Sequence, residues 1–294
     1  MLIHIDDAAG FCWGVVRTID KVEEVLQDKV KENIYVLGEI IHNPSEIQRL
    51  EQKGLKTITH AGMANISPDD SIIIIRAHGE PPSTYSDVKN YNIELVDATC
   101  PLVTALQKTV RKYYVSGYQI VIYGKNQHAE IIGLRGVCND ECIVIQSLEE
   151  TLQKVDFSRK TILFSQTTMD RPTFNIIKDA LRERFSEFID AENSGDMFLS
   201  RDTICKYVSG REENLIDFSG SHDIVIFVAG KSSSNGKSLY KVCKSANQRT
   251  YFIESIDEID YSWFDGVETV GITGATSTPD WYLKLVKEEI VAKC

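Results

Sequence analysis

The stretch Asp97-Ala-Thr-Cys-Pro-Leu-Val103 opens the middle one of three segments that are built to nearly the same plan. Each segment begins with a cysteine and continues with a helix-like stretch and two apolar, strand-like runs, and each run ends in a polar loop. The three cysteines are Cys12, Cys100 and Cys205. Self-similarity of this kind predicts one structural unit that is used three times.

The polar loops lie at matching distances from these cysteines. The first loop residue of each segment follows its cysteine by 30, 28 and 28 residues, and the second follows the first by 36, 39 and 44. These loop residues are His42 and His78, His128 and Thr167, and Ser233 and Ser277. The spacing predicts that three thiols and six polar groups surround one centre.

The order of the apolar runs predicts an α/β fold. Short apolar runs alternate with stretches in which apolar residues recur at helical spacing. This pattern is typical of parallel sheets covered by helices on both faces. Strands are predicted at residues 34–37, 71–76, 119–123, 142–145, 161–164, 224–228, 250–253 and 269–272. We expect three pseudo-equivalent α/β domains with largely parallel sheets, over residues 14–99, 100–204 and 205–294, the last joined by the N-terminal segment 1–13. Ligands bind such sheets at the carboxyl ends of the strands, where the polar loops follow.

The net charge and the hydropathy of the chain limit the classes of partner that it can bind. The net charge of −11 argues against a surface that wraps nucleic acid. The apolar runs are far shorter than the roughly 18 residues that a membrane helix needs. The N-terminus lacks the basic start of a signal peptide. We therefore expect a cytoplasmic protein with neither a nucleic-acid nor a membrane partner.

The cysteines of the repeat predict a metal centre. Three thiolates without a fourth suit a cubane 4Fe-4S cluster in which one iron stays open. Each cysteine precedes a probable helix, whose N-terminal dipole favours thiolate. A zinc site with three cysteines and His42 or His128 is the competing interpretation. The cysteines outside the repeat are interpreted as ordinary free thiols: Cys138, Cys142, Cys243 and Cys294.

The polar loops predict an anion site with a proton donor beside it. Imidazole, hydroxyl, amide and backbone donors at strand ends and helix starts suit a diphosphate. Glu130 lies two residues after His128, and a carboxyl group in a closed site has a raised pKa that suits a general acid. A helix N-terminal carboxylate is the alternative role for Glu130. Thr167 and Thr168 are placed to orient a substrate hydroxyl or a water, or simply to cap a strand end.

These residues match motifs of a known family, in order along the chain. The motifs begin at Gly10-Phe-Cys-Trp-Gly-Val, Ile41-His-Asn-Pro, Ala77-His-Gly, Asp97-Ala-Thr-Cys-Pro-Leu-Val, His128-Ala-Glu, Ser165-Gln-Thr-Thr, Asp202-Thr-Ile-Cys, Lys231-Ser-Ser-Ser-Asn and Thr276-Ser-Thr-Pro. The chain resembles the 4-hydroxy-3-methylbut-2-enyl diphosphate reductases, the iron-sulfur enzymes that end the non-mevalonate isoprenoid pathway. It departs from the family pattern at Trp13, where a small residue is frequent, and after Cys205, where the family commonly reads Ala-Thr-x-x-Arg-Gln.

The resemblance implies a three-lobed α/β fold with a 4Fe-4S cluster at the centre, bound through Cys12, Cys100 and Cys205. Its open iron would bind the allylic hydroxyl of the substrate, and Glu130 would deliver a proton, directly or through Thr167. The diphosphate would be held by His42, His78, His128, Ser233, Ser234, Asn235 and Ser277. The resemblance also implies an electron donor of ferredoxin or flavodoxin type. Such donors are usually acidic, so we expect a local basic patch near the cluster.

The sequence is also compatible with two other functions. An iron-sulfur hydro-lyase also uses an open iron to remove a hydroxyl, but it would need carboxylate-binding arginines in the loops. Arg76 and Arg135 are the nearby candidates. A non-catalytic redox sensor would bind a cluster and a partner without requiring Glu130 or the threonines.

Overall fold

Three four-stranded sheets, each with parallel strands, form the framework of the computed structural model, which describes residues 1–28, 31–188 and 197–294. The strands are β1 (Leu2–Ile5), β2 (Asn33–Leu37), β3 (Leu55–Ile58), β4 (Ser71–Ile75), β5 (Glu94–Asp97), β6 (Gln119–Tyr123), β7 (Ile143–Ile145), β8 (Thr161–Ser165), β9 (Phe198–Ser200), β10 (Ile224–Val228), β11 (Thr250–Ile253) and β12 (Thr269–Gly274). The eight strands predicted from the sequence are confirmed.

The three sheets share one strand order. The first is β3-β2-β4-β5, the second is β7-β6-β8-β9 and the third is β11-β10-β12-β1. The fourth strand of the third sheet comes from the start of the chain, because β1 pairs with β12 in the register Leu2 to Thr269. The threefold repeat of an α/β unit is therefore confirmed. The domain limits 14–99, 100–204 and 205–294 stay predictions.

Helices cover both faces of the sheets. The helices are α1 (Trp13–Asp28), α2 (Pro44–Gln52), α3 (Pro82–Asn90), α4 (Pro101–Val115), α5 (Ala129–Val137), α6 (Leu148–Lys154), α7 (Arg171–Phe188), α8 (Lys206–Ser209), α9 (Glu212–Gly220), α10 (Ser234–Ala246) and α11 (Asp280–Lys293). Alternate residues of the central strands point into two apolar clusters: in β4, Ile72 and Ile74 enter one and Ile73 and Ile75 the other. No helix in the described ranges is both long and apolar enough to cross a membrane.

A helix begins directly after each cysteine of the repeat. Helix α1 starts at Trp13, α4 at Pro101 and α8 at Lys206. Cys100 and Cys205 are the N-cap residues of their helices, and the Cys12 carbonyl accepts from the Val16 N–H at 2.9 Å. The three cysteines therefore stand where strand-end loops turn into helices, as the sequence predicts.

Candidate active site at the centre of the three sheets

One central cavity collects every site residue predicted from the sequence. The predicted residues that line it are Cys12, His42, His78, Cys100, His128, Glu130, Thr167, Thr168, Cys205, Ser233, Ser234, Asn235 and Ser277. Apolar side chains complete the wall, among them Val15, Ile41, Leu102, Val103 and Val208. Residues up to 265 positions apart in the chain thus share one site, which the repeat makes possible.

Backbone hydrogen bonds fix the three cysteines in the same way. The N–H of Cys100 donates to the Ala77 carbonyl at 3.0 Å, and that of Cys205 donates to Thr167 at 2.8 Å. The N–H of Cys12 donates to the Thr276 carbonyl at 3.1 Å. Each cysteine is thereby held against the polar loop that follows a central strand, which is β4 for Cys100, β8 for Cys205 and β12 for Cys12. The third of these bonds joins the start of the chain to its last sheet.

The three cysteines line one cavity, and a side chain at Gly14 would clash with the Cys100 sulfur. A Cβ atom built on Gly14 would lie 2.6 Å from the Cys100 Sγ and 4.0 Å from the Cys12 Sγ. Burial raises the pKa of the Cys12 thiol more than the Val15 and Gly14 N–H groups lower it, and the Cys100 sulfur adds to the rise. Burial also raises the pKa of Cys205. Burial thus outweighs the helix N-terminus in setting the pKa of Cys12 and of Cys205, and a bound cation would reverse this balance.

Three imidazoles form one wall of the cavity. The ring centroids of His42 and His78 are 4.9 Å apart, and that of His128 lies 5.7 and 5.2 Å from them. One nitrogen of each ring lies within 4.8 Å of the other two. Burial lowers the pKa of His78 well below its ordinary value and that of His128 to about 4. His42 and Arg76 contribute to the lowering of both pKa values. His78 and His128 are therefore neutral near pH 7.

Buried polar atoms without partners point to a polar ligand. Within the described parts of the chain, His42 Nε2 and His78 Nδ1 are buried and make no hydrogen bond. The His128 Nδ1 accepts from the Glu130 N–H at 3.2 Å, which leaves the Nε2 of that ring to carry the proton. Buried polar groups without a partner are costly and are rarely retained without a use. Imidazole N–H groups that line the cavity would donate hydrogen bonds to a bound anion.

Thr167 donates two hydrogen bonds to the carboxylate of Glu130. One carboxylate oxygen accepts from the Thr167 N–H at 2.8 Å, and the other accepts from the Thr167 hydroxyl at 2.6 Å. Burial raises the pKa of Glu130 to about 7 even though both hydrogen bonds lower it. A carboxyl group that titrates near neutral pH can both keep and release a proton under working conditions.

The loop before α10 supplies hydroxyl and amide groups. The Ser233 hydroxyl accepts from the Gly236 N–H at 3.0 Å and caps the helix. Ser234 accepts from the Lys125 ammonium at 2.7 Å. The Asn235 amide donates to the Thr276 hydroxyl, and its Oδ1 is buried without a partner among the described residues.

Sequence reasoning missed three residues of this site. Thr276 bonds both to Asn235 and to the Cys12 sulfur. Lys125 reaches Ser234, and its pKa is lowered by burial and by Lys237 and Lys241. Gly14 has no side chain, and a Cβ atom there would lie only 2.6 Å from the Cys100 Sγ. The signal for Thr276 and Lys125 was their place in the same polar loops as Ser277 and His128.

The arginines needed by a hydro-lyase lie elsewhere. Arg76 pairs with the buried Glu80 at 3.1 Å, and Arg135 pairs with Asp140 at 2.8 Å. Among the described residues that line the central cavity there is no arginine. This counts against binding of a carboxylate substrate here.

Comparison with known proteins agrees with this geometry. The model of the LytB protein family matches residues 3–291. A protein of Chloroherpeton thalassium, named 4-hydroxy-3-methylbut-2-enyl diphosphate reductase, is 46% identical over 99% of this chain and 97% of its own length. A protein of the same name from Bacteroides fragilis is 43% identical over 99% of this chain and 98% of its own.

Solved structures are similar over the whole chain. The structure of an (E)-4-hydroxy-3-methyl-but-2-enyl diphosphate reductase, described as the terminal enzyme of the non-mevalonate pathway, is 32% identical with a TM-score of 0.71, covering 99% of this chain and 100% of that one. The E-1-hydroxy-2-methyl-but-2-enyl-4-diphosphate reductase of Plasmodium falciparum is 25% identical with a TM-score of 0.85, covering 98% and 87%. The family match, the full-length relatives and the shared fold show together that the chain is an oxidoreductase that belongs to the LytB protein family.

Proposed function

We propose that this protein reduces (E)-4-hydroxy-3-methylbut-2-enyl diphosphate to isopentenyl diphosphate and dimethylallyl diphosphate, the last step of the non-mevalonate pathway. The reaction takes two electrons and two protons, breaks the allylic C–O bond and releases water. One proton leaves with the oxygen and the other is added to carbon. Support comes from the relatives' names and from a cavity in which three thiols, an anion site and a proton donor meet.

The three cysteines fit a 4Fe-4S cluster. Cys12, Cys100 and Cys205 line the same cavity, and Gly14 keeps the space between the sulfurs clear. When bound, the cluster would pass on the two electrons of an external donor and would supply a Lewis-acidic iron with no protein ligand. The thiols, whose pKa values are raised by burial in Cys12 and Cys205, would lose their protons on loading.

The histidine wall and the α10 loop would bind the diphosphate. His42, His78 and His128 present imidazole nitrogens, two of them buried without a partner, and Ser233, Ser234, Asn235 and Ser277 add hydroxyl and amide groups. Because His78 and His128 are neutral in the free protein, they would bind first as N–H donors. Diphosphate charge would then raise the pKa of both rings.

Glu130 would provide the proton for carbon. It is the one carboxyl group among the described residues that line the cavity, and its pKa of about 7 keeps much of it protonated at neutral pH. Thr167, which bonds to both of its oxygens, would orient it and relay the proton. Thr168 would help to position the substrate chain. Apolar Val15 and Leu102 in the wall would limit access of water.

The proposal rests on one observation: the Glu130–Thr167 pair, the three histidines and the three cysteines line the same cavity. Anaerobic turnover of the diphosphate substrate by iron-loaded protein, with a reduced viologen dye as electron source, tests it directly. Dye oxidation with formation of the two isoprenoid diphosphates is expected. Loss of water from the substrate without dye oxidation, giving a dehydrated product in place of the two isoprenoid diphosphates, would indicate a hydro-lyase. No product with full iron content would leave the redox-sensor interpretation.

A further inference from the structure

We propose that Lys125 is a positioning residue for the diphosphate: from outside the central cavity, its ammonium holds the Ser234 hydroxyl so that the Ser234 O–H donates to the substrate. The inference rests on the proposed function, because it concerns the diphosphate site of that reaction. Lys125 lies in the loop between β6 and α5, three residues before His128. It is not itself among the residues that line the cavity.

The backbone of Lys125 is fixed on both sides. Its N–H donates to the Gln166 side-chain oxygen at 3.0 Å, and its carbonyl accepts from the His128 N–H at 2.9 Å. Gln166 is fully buried, and its amide donates to the Thr168 hydroxyl at 2.8 Å. The long side chain of Lys125 therefore starts from a point that is held in place relative to the site.

The Lys125 side chain reaches from the second sheet to the third. Its ammonium donates to the Ser234 hydroxyl at 2.7 Å. Ser234 lines both the central cavity and an outer crevice, whereas Lys125 lines the crevice alone. Lys125 thus contacts Ser234 from the crevice side and leaves the cavity side of the hydroxyl uncovered.

This contact leaves the Ser234 proton for the cavity. A hydroxyl has one proton to donate and two lone pairs, and an ammonium has no lone pair to accept with. Ser234 is therefore the acceptor toward Lys125, and in the described parts of the chain no other group accepts its proton. The O–H is free to donate to a phosphate oxygen in the cavity, and the ammonium polarises it and makes it a stronger donor.

The surroundings of the Lys125 ammonium disfavour a positive charge. Burial lowers the pKa of Lys125, and the charges of Lys237 and Lys241 lower it further. Ser234 is also the first residue of α10, and the positive end of a helix repels a cation. The same three features favour an anion beside Ser234, since it would offset all of them.

Carboxylates that border the crevice do not neutralise Lys125. The Asp170 carboxylate accepts from the Tyr123 hydroxyl at 2.6 Å and from the Thr173 N–H at 2.9 Å. Glu212 borders the crevice as well. Neither carboxylate forms an ion pair with Lys125 in the described structure. A partly buried cation whose partner is a neutral hydroxyl is costly, and a diphosphate held by that hydroxyl would compensate it.

Lys125 places a positive charge beside a cavity whose wall has none of its own. No lysine or arginine is found among the described residues that line the cavity. Besides burial and His42, the charges of Lys125 and Arg76 lower the pKa of His128, so both reach the histidine wall. Arg76 is paired with Glu80 at 3.1 Å. Lys125 is thus the cation of the two that has no carboxylate partner and is available to an incoming diphosphate.

Substitutions at Lys125 and Ser234 in iron-loaded protein test this inference. Lys125→Met removes the charge and keeps the length of the side chain, whereas Lys125→Arg keeps a charged donor. Ser234→Ala, alone and combined with Lys125→Met, completes a double-mutant cycle. Lys241→Met, which removes an exposed charge from the same crevice, is the control. The Kd of inorganic pyrophosphate is measured by calorimetry, KM and kcat by viologen-driven turnover, and the Tm by thermal unfolding.

We expect Lys125→Met to raise the pyrophosphate Kd and the KM about tenfold, while kcat stays within about threefold of wild type, because the Ser234 contact acts on binding and not on the proton donor. In the Ser234→Ala background the same substitution should raise the Kd by less than about threefold, since the hydroxyl that it positions is gone. Lys125→Arg should recover most of the affinity, and Lys241→Met should change it by less than about twofold.

Two results would overturn the inference. If the effects of Lys125→Met and Ser234→Ala on the Kd multiply in the double variant, Lys125 acts independently of Ser234. If Lys125→Met lowers the Tm but leaves the Kd unchanged, Lys125 only braces the two sheets. Should Lys125→Met fail to fold, Lys125→Gln takes its place in the same cycle. Failure of the proposed function looks different: wild-type protein with full iron content would bind pyrophosphate and give no viologen-driven turnover.

Discussion

Thr167 contacts Glu130 twice, through its backbone N–H at 2.8 Å and through its hydroxyl at 2.6 Å. The same residue accepts the N–H of Cys205 through its carbonyl at 2.8 Å. Thr167 therefore joins the proposed proton donor to the proposed metal centre by three hydrogen bonds. The position of the carboxyl group and that of the third cysteine depend on one loop.

Replacing Glu130 by glutamine should abolish most turnover without loss of the metal. Glutamine keeps the shape of the side chain but has no proton to give at neutral pH. We expect kcat to fall by about 100-fold or more, as is usual for removal of a general acid, with iron content and substrate binding retained. Viologen-driven kinetics and iron analysis measure this. Glu149→Gln, which changes an exposed carboxylate of helix α6, is the control. Iron loss in Glu130→Gln would show that Glu130 is structural.

The pH dependence of kcat/KM, which reflects ionisation of the free enzyme, should report Glu130. Because the acid must be protonated, the rate should be level at low pH and fall as pH rises through about 7. Thr167→Val removes a hydroxyl that lowers the pKa of Glu130, so the falling limb should move to higher pH. Thr168→Val is the control, because the Thr168 hydroxyl accepts from Gln166 at 2.8 Å. A limb that stays in place in Thr167→Val would assign the titration to another group.

Binding of a diphosphate should take up protons. His78 and His128 are neutral in the free protein because burial lowers their pKa, and a bound anion reverses that shift. Inorganic pyrophosphate titrated near pH 6.5 in buffers of different ionisation enthalpy should show uptake that fades as pH rises. His128→Asn should reduce the uptake, whereas His60→Asn should not, because His60 pairs with Glu80. Heat independent of the buffer would contradict a role for these rings as proton acceptors.

Metal content should depend on the three cysteines of the repeat alone. Cys12→Ser should lose iron after anaerobic reconstitution, because a serine hydroxyl replaces a thiolate ligand. Cys294→Ser, which changes an exposed cysteine, should reconstitute like wild type. Iron per chain and the visible absorption of the cluster provide the measurements. A Cys12→Ser protein with full iron content and activity would refute the ligand assignment.

The central strands could be predicted from the sequence because they are buried on both faces. Strands β4, β6, β8 and β10 are buried at every residue and read as continuous apolar runs. The missed strands β1, β3, β5 and β9 are three or four residues long and partly exposed, so no run marks them. The pairing of β1 with β12 joins residues more than 260 positions apart, and no local pattern specifies such a contact.

The site could be predicted further than the fold, since the repeat supplied long-range information. Similar intervals in the three segments predicted that the cysteines, the histidines and Glu130 surround one centre. Spacing could not reveal that Thr276 bonds to the Cys12 sulfur or that Lys125 reaches Ser234, because both contacts cross between segments. Nor could it show that burial outweighs the helix N-terminus in setting the pKa of the Cys12 thiol.

The bond from the Cys12 N–H to the Thr276 carbonyl sets an order of events during synthesis. A ribosome makes Thr276 264 residues after Cys12, and domains fold from the N-terminus as they emerge. The first sheet can form early, but Cys12 stays without its backbone anchor until the third sheet is made and receives β1. The backbone anchor of Cys12 in the proposed metal centre is thus complete only once the chain has been made through residue 276.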